Sequence, residues 1–158
     1  MSYTTLYILN KKSVTSYKEY RNSFGSAMVL WDYLSIKYLG LKRMPYDENG
    51  LQHLWDLAND SRLNQDEVIA HRMTFDYEYV PIDKLQLAAD SCRTVFSKTL
   101  SLLGNERANH WYDIGDDLER LTEIKLNRHA RGVCLGCTSV SDPWWNKKMI
   151  PEAVSIFR

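Results

Sequence analysis

Four groups of residues have types and spacing suited to chemistry, and a thiol pair is the first. Cys134-Leu135-Gly136-Cys137 has the two-residue spacing of a zinc knuckle or a redox pair. A structural zinc ion takes four ligands. The third cysteine, Cys92, falls inside an apolar helical stripe; His129 is near enough in sequence to be a third ligand, and no fourth presents itself. Redox pairs of this spacing normally open a helix, whereas this one lies in a β-rich run. Alternation there sends Cys134 and Gly136 to one face and Leu135 and Cys137 to the other. Sulfurs on opposite faces chelate one ion only if a turn or bulge intervenes. The expectation is buried structural cysteines, with no metal and no cofactor.

The second group is an acidic run, Asp113, Asp116, Asp117, Glu119 and Glu123, with Lys125 two residues further on. Metal-dependent nucleases cluster carboxylates beside a lysine, because divalent cations want oxygen ligands and developing negative charge wants a cation. In such enzymes the Glu-x-Lys element usually lies on a strand. Here it falls on an apparent helix, where i and i+2 diverge by about 200°, so a solvated helical face is the simpler reading. The histidines at 53, 71, 110 and 129 form no Ser-His-Asp or Cys-His set in sequence. His71-Arg72 closes a short helix, where positive charge suits the dipole. Glycine-rich phosphate loops, paired-histidine metal motifs and dinucleotide fingerprints are absent from the sequence. An enzyme is therefore not the favoured reading.

The last group is the most distinctive. From Lys125 to Arg158 there are six basic residues against two acidic, whereas Asn105 to Glu123 has six acidic against two basic. Within the basic part, Asp142-Pro143-Trp144-Trp145-Asn146-Lys147-Lys148 sets adjacent tryptophans beside two lysines. Asp-Pro favours a turn. The rings either pack over a sheet end or act as a surface anchor, gripping a protein partner or stacking on nucleic acid. Trp144, Trp145, Lys147 and Lys148 are the candidate partner-binding residues. Ile150, Ile156 and Phe157 extend an apolar tail that either docks on its own domain or is kept for a partner.

The elements that must position these groups follow from periodicity and punctuation. Thr4–Leu9 reads as a strand. Ser16-Tyr17-Lys18-Glu19 matches a capping box, leading into a helix with Phe24, Ala27, Met28, Trp31, Leu34 and Tyr38 on one stripe and Gly40 as its stop. Lys42–Gly50 is the longest internal loop, followed by a short helix through Leu51, Leu54, Trp55 and Ala58. Asn64-Gln65-Asp66-Glu67 caps another helix running toward Met73. Thr74–Val80 alternates, with Phe75, Tyr77 and Tyr79 on one face, and Pro81 ends that strand. Asp83-Lys84-Leu85-Gln86 is a third box, before a stripe of Leu85, Ala88, Cys92, Val95, Phe96, Leu100 and Leu103 closed by Gly104. A further helix between Asn109 and Gly132 turns Trp111, Ile114, Leu118, Leu121 and Ile124 inward, and Val133–Val140 is the last strand. The expected fold is α+β: a small three-stranded mixed sheet with about five helices packed mainly on one side.

Bulk composition agrees. The chain has 158 residues, of which 44% are hydrophobic and 25% charged, the balance of an ordinary globular domain. We expect a single globular domain over 1–158 with an irregular C-terminal tail over 141–158. Twenty basic residues cancel twenty acidic ones, so neither general polyanion binding nor mimicry of DNA gains support from net charge. No apolar run approaches the roughly 18–20 residues that span a bilayer. Met1-Ser2-Tyr3-Thr4-Thr5 lacks the features of a secretory signal, and an odd cysteine count argues against a disulfide framework. A cytoplasmic protein without a membrane partner is expected.

Two segments, Thr74-Phe75-Asp76-Tyr77-Glu78-Tyr79-Val80 and Thr138-Ser139-Val140-Ser141-Asp142-Pro143-Trp144, are faintly similar to small proteins of bacteriophages and mobile elements. That resemblance implies a context in which small single-domain proteins bind a bacterial host protein, for instance one of a defence system. The expectation is a non-enzymatic interaction protein, an inhibitor or modulator acting by stoichiometric binding. Two alternatives stand beside it: a small metal-dependent hydrolase or nuclease using the 113–123 carboxylates, and a nucleic-acid-binding module using the basic C-terminal segment.

Overall fold

The structure, a computed structural model, describes residues 2–137 and 149–157. Its first element is a hairpin: β1 (Tyr3–Asn10) pairs antiparallel with β2 (Val14–Arg21) across a short turn in which the Asn10 N–H donates to the Ser13 carbonyl. The capping box expected at Ser16–Glu19 therefore does not form, because these residues lie within β2. A box satisfies a couple of local donors. The ladder from Tyr3–Arg21 to Leu9–Val14 satisfies a whole edge of β1 and buries Tyr20. The register shifts at Tyr17, which has no partner between the Leu6–Lys18 and Tyr7–Ser16 pairs. A bulge of this kind twists an edge strand and blunts it against pairing with other chains.

The sheet order is β2-β1-β4-β3-β5, with β3 (Glu78–Pro81), β4 (Ala130–Gly136) and β5 (Val154–Ser155). Pairing is antiparallel throughout except for β3 with β5. The fold is thus α+β with a mixed sheet, as expected, but the described residues form five strands rather than three. The short β5 carries no periodic signal of its own. It exists because the Val154 and Ile156 N–H groups donate to the Tyr77 and Tyr79 carbonyls.

Six α-helices complete the described fold: α1 (Ala27–Leu39), α2 (Glu48–Asp56), α3 (Gln65–Met73), α4 (Leu85–Leu103), α5 (Trp111–Glu123) and α6 (Met149–Glu152). Leu6, Val80, Val133 and Leu135 from the sheet meet buried residues of α1 to α5 in one large core. On the other face, Leu9 and Cys134 meet Ile150 and Ala153 in a smaller cluster. The apolar C-terminal tail therefore docks on its own domain. Ile150 and Ile156 are buried, and Arg131 donates to the Ile150 and Ala153 carbonyls. No helix among the described residues is long and apolar enough to cross a membrane.

Several local expectations are corrected. α1 begins only after a 3-10 turn, Ser23–Gly25, and Phe24 is 55% exposed rather than part of the inward stripe. Gly25 is needed because a Cβ there would stand 2.7 Å from the His110 ring, whose own backbone N–H donates to the Gly25 carbonyl. Gly40, at φ 67°, does stop α1. α2 starts at Glu48, inside the expected loop, because Asp47 caps it by accepting from the Gly50 N–H at 2.8 Å. The Asn64 box forms, with the Asn64 N–H donating to Glu67 Oε1 at 2.9 Å. The box at Asp83 does not; a 3-10 turn over Ile82–Lys84 already leads into α4, so no side-chain cap is made. α5 ends at Glu123, and Ile124 is extended and 48% exposed.

Tyr20 shows how the edge hairpin is tied to the helices. Its hydroxyl donates to Asp117 Oδ2 at 2.7 Å, and its ring stacks on His110 at 5.8 Å. Burial first, and the Asp117 carboxylate second, push the phenol well above its ordinary pKa, so it remains a donor. Tyr20→Phe removes the donor but leaves the buried carboxylate, and should destabilise the fold by about 1–3 kcal/mol. Urea unfolding checks this; a change within error would mean that Arg120, 3.2 Å from Asp117, suffices alone.

Candidate functional site

The residues that converge into a recess belong to two helices and to the turn that follows a third. Trp31 lies on α1, Trp55 near the end of α2, and Thr74, Phe75 and Asp76 follow α3. Thr74 continues the helix by one turn, with its N–H and hydroxyl both donating to the His71 carbonyl. Phe75 is held likewise, by its N–H to the Arg72 carbonyl. The chain then reverses through Tyr77, a non-glycine residue at φ 66°, and enters β3. The left-handed conformation costs energy for a bulky residue. The Val154 N–H, 2.7 Å from the Tyr77 carbonyl, helps to hold it.

The expected strand over Thr74–Val80 is thereby cut to its second half, in which Glu78 and Val80 are the buried residues. Tyr77 is exposed. The inward Glu78 is met by the Arg72 guanidinium at 3.0 Å.

Among the described residues, Trp31, Trp55, Thr74, Phe75 and Asp76 line a cleft of about 380 Å³, within the size range of small ligand pockets. The rings meet edge to face. Trp31 and Trp55 are 5.0 Å apart at 74°, and Trp55 and Phe75 are 5.9 Å apart at 85°. Behind them His71 stacks on Trp55 and meets Phe75 edge-on at 4.8 Å. The Trp31 indole N–H donates to Thr74 Oγ1 at 3.1 Å, which fixes one wall. Asp76 is exposed at the side. Loss of water on its protein side raises its carboxyl above the ordinary pKa, and no hydrogen bond or ion pair is made to it among the described residues.

His71 corrects an expectation. It is not a cation at a helix end but a fully buried ring whose Nε2–H donates to the Leu54 carbonyl at 2.8 Å. Burial lowers its pKa to about 4, so it is neutral near pH 7 and serves as packing behind the cleft. Its Nδ1 has no partner among the described residues.

The other candidates are dispersed. Leu135 points into the main core and Cys134 into the smaller one, so alternation separates the thiols of Cys134 and Cys137 as expected. Burial pushes the Cys137 thiol up to about 12, and that of buried Cys92 higher still, which leaves little reactive thiolate near pH 7. On α5, Asp116 and Glu119 are bound by Arg93 of α4 at 2.9 Å and 2.8 Å, while Asp117 is buried under Tyr20. Lys125 lies beyond the helix end. No group of three or more His, Cys, Asp or Glu among the described residues is placed to hold a metal ion. Trp144, Trp145, Lys147 and Lys148 lie outside the described residues. The cleft itself had no signal in sequence, since its rings come from separate elements and each reads locally as core or strand. Comparisons with family models, curated proteins and solved structures find no match to this chain.

Proposed function

We propose that this chain is a non-enzymatic interaction protein, a phage or mobile-element inhibitor or modulator that binds a bacterial host protein stoichiometrically. The observation that carries the binding role is the ring-walled cleft beside Asp76. It offers apolar area and a carboxylate without a partner among the described residues, which are features of a receptor surface rather than of an acid–base or nucleophilic centre. The α5 carboxylates support the same reading, because Arg93 and Tyr20 already engage three of them. The phage context rests on the resemblance of the two short segments. Trp144, Trp145, Lys147 and Lys148 are proposed as further contacts, on their residue types.

The test is capture from bacterial lysate with three proteins: the native chain, Trp144→Ala/Trp145→Ala and Asp116→Ala. The native chain should retain a host protein in near one-to-one amount. The tryptophan double variant should lose at least tenfold, as for loss of an interface hot spot of about 2 kcal/mol, and Asp116→Ala should match the native chain. If no protein is retained, and nucleic acid is instead cut with Mg²⁺ or Mn²⁺ in a manner lost in Asp116→Ala, the hydrolase reading replaces this one.

A further inference from the structure

We propose that the Trp31–Trp55–Phe75 cleft receives the ammonium end of a lysine side chain presented by the partner protein, an inference that rests on the binding role above. The faces of aromatic rings carry partial negative charge and attract cations. In this cleft a carboxylate stands beside such rings, and no cationic side chain among the described residues pairs with it. Arg72, four residues before Asp76, is engaged elsewhere, with Glu78 at 3.0 Å and Asn59 at 2.8 Å. The cleft thus holds negative character that nothing described in the chain itself neutralises.

Ring geometry selects the shape of the cation. A planar guanidinium binds best flat on one ring. Here neighbouring rings stand at 74° and 85° to one another, and such corners suit a tetrahedral nitrogen that meets two surfaces at once. Lysine also brings a flexible four-carbon stem, which lies against apolar rings while its charge stays near water. Asp76, exposed at the side of the cleft, is the natural acceptor for the ammonium donors. The walls are stiff: the Trp31 N–H is bonded to Thr74, and Thr74 to the end of α3. Little order has to be gained on binding.

The experiment is a ¹H–¹⁵N titration of the full chain with Nα-acetyl-lysine methylamide, with the uncharged norleucine analogue and with the arginine analogue. The lysine probe should shift the indole N–H signals of Trp31 and Trp55 and the amides of Phe75 and Asp76 saturably. Norleucine should bind about tenfold more weakly, the scale of a partly desolvated cation–π contact. Asp76→Asn, a change at an exposed position that leaves the rings in place, should weaken lysine binding about threefold and leave norleucine binding unchanged, as for an exposed ion pair.

Equal binding of lysine and norleucine would overturn the proposal, as would tighter binding of arginine or no saturable shift at all. It would also fall if the lysine probe bound only after Trp144→Ala/Trp145→Ala, since the chain would then fill its own cleft. Host-protein capture separates this inference from the function it rests on. Capture undiminished in Asp76→Asn, together with no lysine binding, removes the lysine and keeps the interaction protein. Lysine binding without capture of any host protein removes the interaction protein.

Discussion

Glu67→Ala is expected to destabilise the protein by about 3–5 kcal/mol, the usual cost of breaking a buried charged network from one side. Glu67 is 0% exposed. Its carboxylate accepts from the Tyr33 hydroxyl at 2.8 Å, the Tyr38 hydroxyl at 2.6 Å and the Asn64 N–H at 2.9 Å, with the Lys37 ammonium at 3.3 Å and that of Lys98 at 4.0 Å. One side chain thus joins α1, α3 and α4 and also closes the capping box of α3. Alanine would leave the Tyr33 hydroxyl buried without its acceptor and free an amide at the helix start. In a domain of this size the melting temperature should fall by roughly 8–15 °C.

Burial alone would raise the Glu67 pKa, but the hydrogen bonds from Tyr38, Asn64 and Tyr33 and the charge of Lys37 outweigh it and hold the carboxyl below its ordinary value. The sign of the pH effect follows. Stability from Glu67 is fully present above the unfolded-state pKa and is lost as pH falls through the lower folded one. Thermal and urea melts of the native chain and Glu67→Ala at pH 7 and pH 3.5 should differ most at pH 7. A loss below about 1 kcal/mol at pH 7 would show that the network only balances its own desolvation.

His71 should give the protein a second, separate acid sensitivity. The unfolded imidazole titrates near its ordinary value, about 6.5, whereas the folded one is lowered to about 4 by burial. The unfolded chain therefore takes up this proton first, and stability falls as pH drops from 6.5 toward 4. At about 1.4 kcal/mol per pH unit, the loss over that interval is about 3 kcal/mol. Above 6.5 the contribution is complete and flat. His71→Gln retains an N–H able to donate to Leu54 but has nothing to titrate. Whatever its stability at pH 7.5, its urea midpoint should stay level between pH 6.5 and 5 once compared with the native slope. If both proteins lose stability in parallel over that range, His71 is not the group responsible.

What could be read from the chain was what neighbouring residues enforce on each other. Gly40 stops α1 because its φ of 67° suits a residue without Cβ. Asn64 and Glu67 cap α3 because the donors they satisfy lie within one turn. Cys134 and Leu135 part to opposite faces because a strand has a period of two. The α+β class, the stripes of α4 and α5 and the separation of the two thiols were determined by the sequence in this local sense.

The tertiary structure decided everything that depends on which distant segment arrives alongside. Ser16–Glu19 satisfies a capping pattern, yet β1 offers it a longer ladder, and the strand wins. Phe75 alternates like a strand residue, yet the last turn of α3 and the reversal at Tyr77 carry it to Trp55. The cleft became visible for the same reason. Residue type alone pointed to the acidic run and to the Trp144–Lys148 segment. The fold engaged Asp116 and Glu119 with Arg93, and assembled three rings from α1, α2 and the end of α3 beside a carboxylate. Periodicity assigns each of those rings to a local face. Their meeting in one cleft requires helix packing, which no local pattern encodes.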